Sequence, residues 1–204
     1  FHMKKILHIS TSVKGANSSS IKLANAIIEK IQSVYPGSEV TTHDLTLKPF
    51  PHLEESHITS FYTPEEMKTD ANREALKHSD AAIKEVKEAD IIVIGIPLYN
   101  FGVPSALKAW IDHVVRVNAT FHYVNGVPVG LLKDKKVYLA LSSGGVYSEG
   151  PMQSYDFAIP YLKAVLGFIG LPDVTAFRVE GTSMPTLKET ALSKAVEAVN
   201  NHAF

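Results

Sequence analysis

The stretch that most restricts how this chain can fold is Ile91-Ile92-Val93-Ile94-Gly95-Ile96-Pro97. It is dominated by β-branched side chains and lacks the apolar/polar alternation of a sheet with one wet face. Such a run is the pattern of a strand buried on both faces, as in a parallel sheet covered by helices on each side. Pro97 stops it, because proline has no N–H to give to a sheet ladder. The loop beyond runs from Leu98 to Pro104 and holds two aromatic rings, an amide side chain and a glycine. Ligands of open α/β sheets sit just past the carboxyl ends of the strands. This loop is in that place.

Elements on either side follow the same logic. Ile6 to Ile9 is a short apolar strand running into a polar loop that ends in Ser18-Ser19-Ser20. Apolar residues then recur at Ile21, Ala24, Ile27, Ile28 and Ile31, one face of a helix, with Ser18 as its N-cap. Pro36-Gly37 ends that helix and Glu39 to Leu45 forms the next strand. Residues 46–70 read as irregular, long enough for a lid or an interface arm. The histidines there and just before (His43, His52, His57) read as solvated, having no metal-ligand spacing. Pro64-Glu65-Glu66 opens a charged helix to about Lys87.

After the central strand, Leu107, Trp110, Ile111, Val114 and Val115 form a helical stripe. Phe121 to Val129 reads as a hairpin around Asn125-Gly126. Lys136 to Leu141 is a fourth strand and ends in Ser142-Ser143-Gly144-Gly145. A stripe of Phe157, Tyr161, Leu162, Val165 and Phe168 marks another helix. Val174 to Val179 is a fifth strand, and Thr186 to about Asn201 a last helix. Five strands alternating with helices predict an α/β fold: one doubly wound, flavodoxin-like parallel sheet in the order 2-1-3-4-5, helices on both faces. One domain is expected over residues 3–204, with Phe1-His2 read as an expression remnant before Met3.

Composition narrows the function classes. Twenty basic against 21 acidic side chains leave a formal charge of −1, which supports neither nucleic acid nor a polybasic membrane anchor as a partner. Without cysteine there is no thiolate nucleophile, disulfide or thiolate metal site. Neither a bilayer-spanning run nor a signal-peptide core is visible, so a cytoplasmic location is expected.

Three loops carry candidate chemistry. The first loop carries hydroxyls at Ser10, Thr11, Ser12, Ser18, Ser19 and Ser20 and opens a helix, whose free N–H groups attract phosphate. Neither the P-loop nor the dinucleotide glycine fingerprint is present, so the cradle suits a monophosphate such as the tail of a flavin mononucleotide (FMN). A capped helix after a solvated loop is the alternative reading. In the second loop, Tyr99 or Phe101 offers a face or edge to an aromatic ligand, and Asn100 offers both a donor and an acceptor. In the third, Gly144 and Gly145 expose backbone groups that can read a planar ring edge. In isolation, a tight loop with its aromatics folded into the core would account for the second, and a plain strand-to-loop turn for the third. Jointly, on one sheet edge, the three are far more specific.

With Tyr99-Asn100-Phe101, Gly150-Pro151 and Leu166-Gly167-Phe168-Ile169-Gly170, the chain resembles the FMN-dependent NAD(P)H azoreductases, flavodoxin-like enzymes that also reduce quinones. The resemblance covers nearly its whole length. It implies that Ser12 and Ser18 to Ser20 hold the FMN phosphate, and that Leu98 to Phe101 and Ser142 to Gly145 contact the flavin ring. It also implies a homodimer with active sites at the interface, where residues 46–70, Phe121, His122 and Phe168 are candidates to close the substrate side. The family often has methionine where Leu98 stands and arginine where Ser143 stands. The second departure removes a fixed charge and bears on coenzyme preference and substrate charge, not on FMN binding.

The implied reaction is ping-pong. NADH or NADPH reduces the flavin and leaves, and a quinone or azo compound then takes two electrons. No side chain needs to act as a catalytic acid or base, since the cofactor carries the chemistry, and no metal is expected. A flavodoxin-type electron carrier is the main alternative, but such carriers tend to be strongly acidic. A serine hydrolase is weakened by the missing Gly-x-Ser-x-Gly elbow.

Overall fold

The computed structural model describes residues 2–204. Seven strands and six α-helices follow one another as β1 (Lys5–Ser10), α1 (Ser19–Val34), β2 (Glu39–Asp44), α2 (Glu55–Tyr62), α3 (Asp70–Glu88), β3 (Ile91–Pro97), α4 (Ser105–Val114), β4 (Phe121–Val124), β5 (Val127–Gly130), β6 (Lys136–Ser142), α5 (Ile159–Phe168), β7 (Val174–Val179) and α6 (Ala191–Asn201). The main sheet has the order β2-β1-β3-β6-β7, every pair parallel. The hairpin β4–β5 stands outside it. Skipping the hairpin, this is the 2-1-3-4-5 topology expected, with the numbering shifted by the two extra strands.

Every residue of β3 is buried, as its unbroken apolar run requires. Alternate residues of the sheet feed two cores. Leu7, Ile9, Ile92, Ile94, Val137 and Leu139 pack towards α3, α4 and α5. Ile6, Val93, Tyr138, Phe177 and Val179 pack towards α1 and α6. Among the described residues no helix is long and apolar enough to cross a membrane.

The segment expected to be irregular departs most from its sequence pattern. It contains α2, whose buried positions are His57 and Ser60 rather than an apolar stripe. His57 is therefore a buried residue, not a solvated one. Its ring lies edge-on to His113 at 5.0 Å, and its Nδ1 accepts the Glu54 N–H at 2.9 Å to cap the helix. His43 likewise packs against Phe50 at 5.5 Å. Residues 65–67 make only a short 3₁₀ turn, and α3 starts later, at Asp70, capped by Thr69. The last helix also starts later than expected, at Ala191, after a run of turns. In α5 the buried stripe is Ile159, Leu162 and Leu166. Phe157 precedes the helix and is exposed, and Phe168 is partly exposed and pairs with Phe121, while Tyr161 and Val165 pack against the edge of the core.

Candidate ligand cleft

The carboxyl ends of β1, β3 and β6 open onto one cleft of about 310 Å³. It is lined by Ser12, Ser18 and Ser19 from the first loop, Leu98 and Tyr99 from the second, and Ser142, Ser143 and Gly144 from the third. Lys14, Asn17, Thr182 and Ser183 complete the wall. These four escaped the sequence reading. Glu180-Gly181-Thr182-Ser183, just after β7, was the available signal: a polar, glycine-containing turn at the carboxyl end of a strand.

The first loop is held by Thr11, whose Oγ1 donates to the Gly95 carbonyl at 2.7 Å and ties it to β3. Ser18 caps α1, its Oγ accepting from the Ile21 N–H at 3.5 Å. The N–H groups of Ser19 and Ser20 lie in the first turn, where no intrahelical acceptor exists. Ser20 is fully buried behind Ser18, with their hydroxyl oxygens 2.8 Å apart; it reaches the cleft through Ser18. Ser12 Oγ accepts the Lys14 N–H at 3.2 Å, which folds the lysine-bearing turn against the same end. Backbone donors and hydroxyls thus meet where an anion is best stabilised, with Lys14 in the same wall.

The second loop is a tight reverse turn. Asn100 and Phe101 have φ of 50° and 68°, and Gly102 N–H donates to the Tyr99 carbonyl at 3.1 Å. Asparagine tolerates the left-handed region; a phenylalanine there is strained. Strain of this kind gathers at functional sites, where the surroundings over-determine the backbone. Phe101 is fixed from outside, its carbonyl accepting the Phe157 N–H at 3.0 Å. Its ring lies 5.1 Å from Tyr155 and 6.1 Å from Tyr147. Asn100 belongs not to the cleft but to an adjoining groove of about 650 Å³, which it shares with Tyr99, Pro104 and Tyr161. The Tyr99 hydroxyl is buried and has no hydrogen-bond partner among the described residues.

In the third loop the carbonyls expected to be open are occupied. Ser143 O accepts from Thr182 N–H, Gly144 O from Ser183 N–H at 3.0 Å, and Gly145 O from Gly181 N–H at 3.0 Å and from the Ser143 hydroxyl at 2.8 Å. A Cβ on Gly144 would stand 2.9 Å from Ser183 Oγ, so a larger residue there would require the Ser183 side chain to turn away. What remains for a ligand is the pair of N–H groups of Gly144 and Gly145, which donate to nothing among the described residues. Gly145 itself sits beneath the Tyr147 ring rather than in the cleft wall.

Phe121, His122 and Phe168 are not brought to this cleft within the chain. Phe121 and Phe168 pair at 4.7 Å, and Phe121 meets Tyr123 edge-on at 5.8 Å. His122 is half-buried on the hairpin. This aromatic cluster makes no ring contact with Phe101, Tyr147 or Tyr155. Among the described residues no group of side chains is arranged to hold a metal.

The profile of a family described by its flavodoxin-like fold matches residues 4–203. An FMN-dependent NADH:quinone oxidoreductase of Beijerinckia indica is 43% identical over 197 residues, covering 97% of this chain and 98% of the relative. An enzyme of the same name from Herminiimonas arsenicoxydans is 45% identical over 199 residues, with 97% and 98% covered. Among solved structures, an FMN-dependent NADH-azoreductase from Bacillus anthracis in complex with FMN superposes with a TM-score of 0.83. It is 25% identical, with 97% of this chain and 98% of that one covered.

Proposed function

The chain belongs to the family of flavodoxin-like fold, and from that premise we propose that it is an FMN-dependent NAD(P)H oxidoreductase. It reduces quinones and azo compounds by two-electron transfer in a ping-pong cycle. The observation that carries the reading is the convergence of three loops on one cleft whose free polar groups match a flavin mononucleotide. First-turn N–H groups with Ser12, Ser18 and Lys14 suit its phosphate. The Gly144 and Gly145 N–H groups, without protein partners among the described residues, suit its polar ring edge.

When bound, FMN supplies the hydride-accepting and hydride-donating chemistry. The chain binds and orients. Ser12, Ser18 and Ser19 anchor the phosphate end, and Ser20 steadies Ser18. Leu98 and Tyr99 line one side of the ring, with Asn100 and Phe101 at its outer end. Ser142 and Ser143 shape the wall on the other side, and Gly144 and Gly145 supply its backbone donors. Ser143 places a small neutral group at the ring and Leu98 an apolar one, so neither fixes a charge against an incoming coenzyme or acceptor.

The whole span 3–204 works as one domain, and a second copy completes the site. Tyr123, Val124, Val127 and Val129 leave apolar surface exposed on the hairpin, next to the Phe121–Phe168 pair. Covering that surface with a second copy removes it from water and gives Phe121, His122 and Phe168 an acceptor pocket to close. The balance of charge accords with a cytoplasmic enzyme working on small aromatic acceptors.

Anaerobic mixing of the FMN-loaded protein with NADH or NADPH tests this. Bleaching of the flavin band, reversed by benzoquinone or an azo dye, is expected. A protein that binds no FMN, or whose FMN neither coenzyme bleaches, is not this enzyme. Light scattering should give the mass of two chains.

A further inference from the structure

We propose that Glu180 and Arg178, which lie outside the ligand cleft, are positioning residues that hold the aromatic wall beside Phe101 and thereby set the affinity for the aromatic acceptor. This rests on the reductase reading above. The wall consists of Tyr147 and Tyr155, both close to the Phe101 ring. Both belong to residues 146–158, whose regular structure is a single 3₁₀ turn, Gln153–Tyr155. Tyr155 and Phe157 are exposed, so burial does not fix them. A segment of this kind has neither a ladder nor an apolar face to hold its rings in register with the cleft.

Two carboxylates and one guanidinium do so instead. Glu180 accepts the N–H groups of Tyr147 at 2.8 Å and Ser148 at 2.9 Å, and the Ser148 hydroxyl at 2.5 Å. Asp156, at the far end, accepts the N–H groups of Ala158 at 3.0 Å and Ile159 at 3.1 Å. Arg178 joins the two: its Nη2 donates to Asp156 Oδ2 at 2.5 Å, and its Nη1 lies 3.7 Å from Glu180 Oε1. Arg178 is on β7 and Glu180 follows it directly, so the clamp is built on a strand paired with β6. Amide bonds to an ionised acceptor are about twice as strong as neutral ones, and these three charged side chains are largely screened from water. The clamp also reaches the strained turn, because the Phe157 N–H that holds the Phe101 carbonyl comes from the segment it pins.

The decisive measurement is saturation kinetics with benzoquinone on FMN-saturated protein, alongside FMN titration and thermal melting. Glu180→Ala should raise KM for benzoquinone about tenfold while kcat stays within about twofold, the pattern of lost acceptor binding. Glu180→Gln keeps an amide-accepting oxygen without the charge and should fall between, at roughly threefold. Arg178→Lys should restore most of what Arg178→Ala loses. A lower melting temperature with KM unchanged in Glu180→Gln and Arg178→Ala would make the clamp merely structural and overturn the proposal. So would a fall in kcat at constant KM. If the wild-type protein binds no FMN or is not bleached by either coenzyme, the reductase reading fails first and takes this proposal with it.

Discussion

At the head of α1 the hydroxyl oxygens of Ser18 and Ser20 stand 2.8 Å apart, Ser18 capping the helix and Ser20 fully buried behind it. On the proposed function, the pair separates capping from ligand binding. Ser18→Ala removes the cap and a hydroxyl proposed to meet the ligand, and should cost about 1 kcal/mol of stability. It should also weaken FMN binding about tenfold, as loss of one hydrogen bond to a charged group does. Ser20→Ala spares the cap, so it should weaken FMN binding by a smaller factor with less effect on stability. Fluorescence titration and urea unfolding of both variants check this. Equal losses of stability would show that the division does not exist.

The turn at Asn100-Phe101 predicts a conflict between stability and activity. Phe101 occupies φ 68°, which costs a non-glycine residue roughly 1–2 kcal/mol. Phe101→Gly relieves that strain and loses a half-exposed ring, so its urea midpoint should match or exceed the parent's. Quinone turnover should drop about tenfold, because the aromatic surface that pairs with Tyr155 and Tyr147 is gone. An active Phe101→Gly protein would mean that the ring has no part in acceptor binding.

The hairpin is docked backbone to backbone. A Cβ on Gly130 would stand 2.2 Å from Gly170 N and 2.4 Å from the Ile169 carbonyl carbon, neither of which can move as a flexible side chain can. Gly130→Ala should therefore lift β4–β5 off the end of α5, at a cost of about 1–3 kcal/mol. Because the proposed FMN cradle lies on other loops, stoichiometric FMN binding should persist. Quinone turnover should fall, and so should the two-chain mass that light scattering is expected to give for the parent protein. Retention of both would place the hairpin outside the interface.

Acid should loosen the segment between β2 and α3. His113 is wholly buried; its Nε2 donates to the Pro51 carbonyl at 2.9 Å, and the rings of Phe50, His57 and His78 surround it. Burial first, then the nearby His57 and His78, hold its pKa below the ordinary 6.5, against the pull of the Pro51 bond. His8 is lowered too, by burial, with Asp44 opposing. Below pH 6.5 the unfolded chain takes up protons that the folded one refuses. The stabilisation is thus complete above that pH and is lost as pH falls towards the depressed values. Urea midpoints at pH 7.5 and 5.5 should show the drop, and His113→Gln should reduce it.

Much of this molecule was legible because its signals are local. The run from Ile91 to Ile96 could only be a strand covered on both sides. The Ile21 to Ile31 stripe with Ser18 before it, and Asn125-Gly126 between two short arms, could be read the same way. They appear as β3, α1 and the β4–β5 hairpin. The chain order of the strands and the rule that ligands lie at their carboxyl ends placed the three loops on one edge.

The sequence by itself thus determined the strand and helix pattern, the handful of loops that meet at the cleft, and the family. Tertiary structure decided the rest, for one physical reason: burial of polar groups depends on partners distant in sequence. Glu55–Tyr62 shows no apolar stripe, and it is a packed helix because His57 finds His113 while the Asn72 side chain donates to Ser60 Oγ at 3.0 Å. The carbonyls of Ser143 to Gly145 looked free until the turn after β7 claimed them. Glu180 carried no motif, yet it gathers the Tyr147 and Ser148 amides from 33 and 32 residues away.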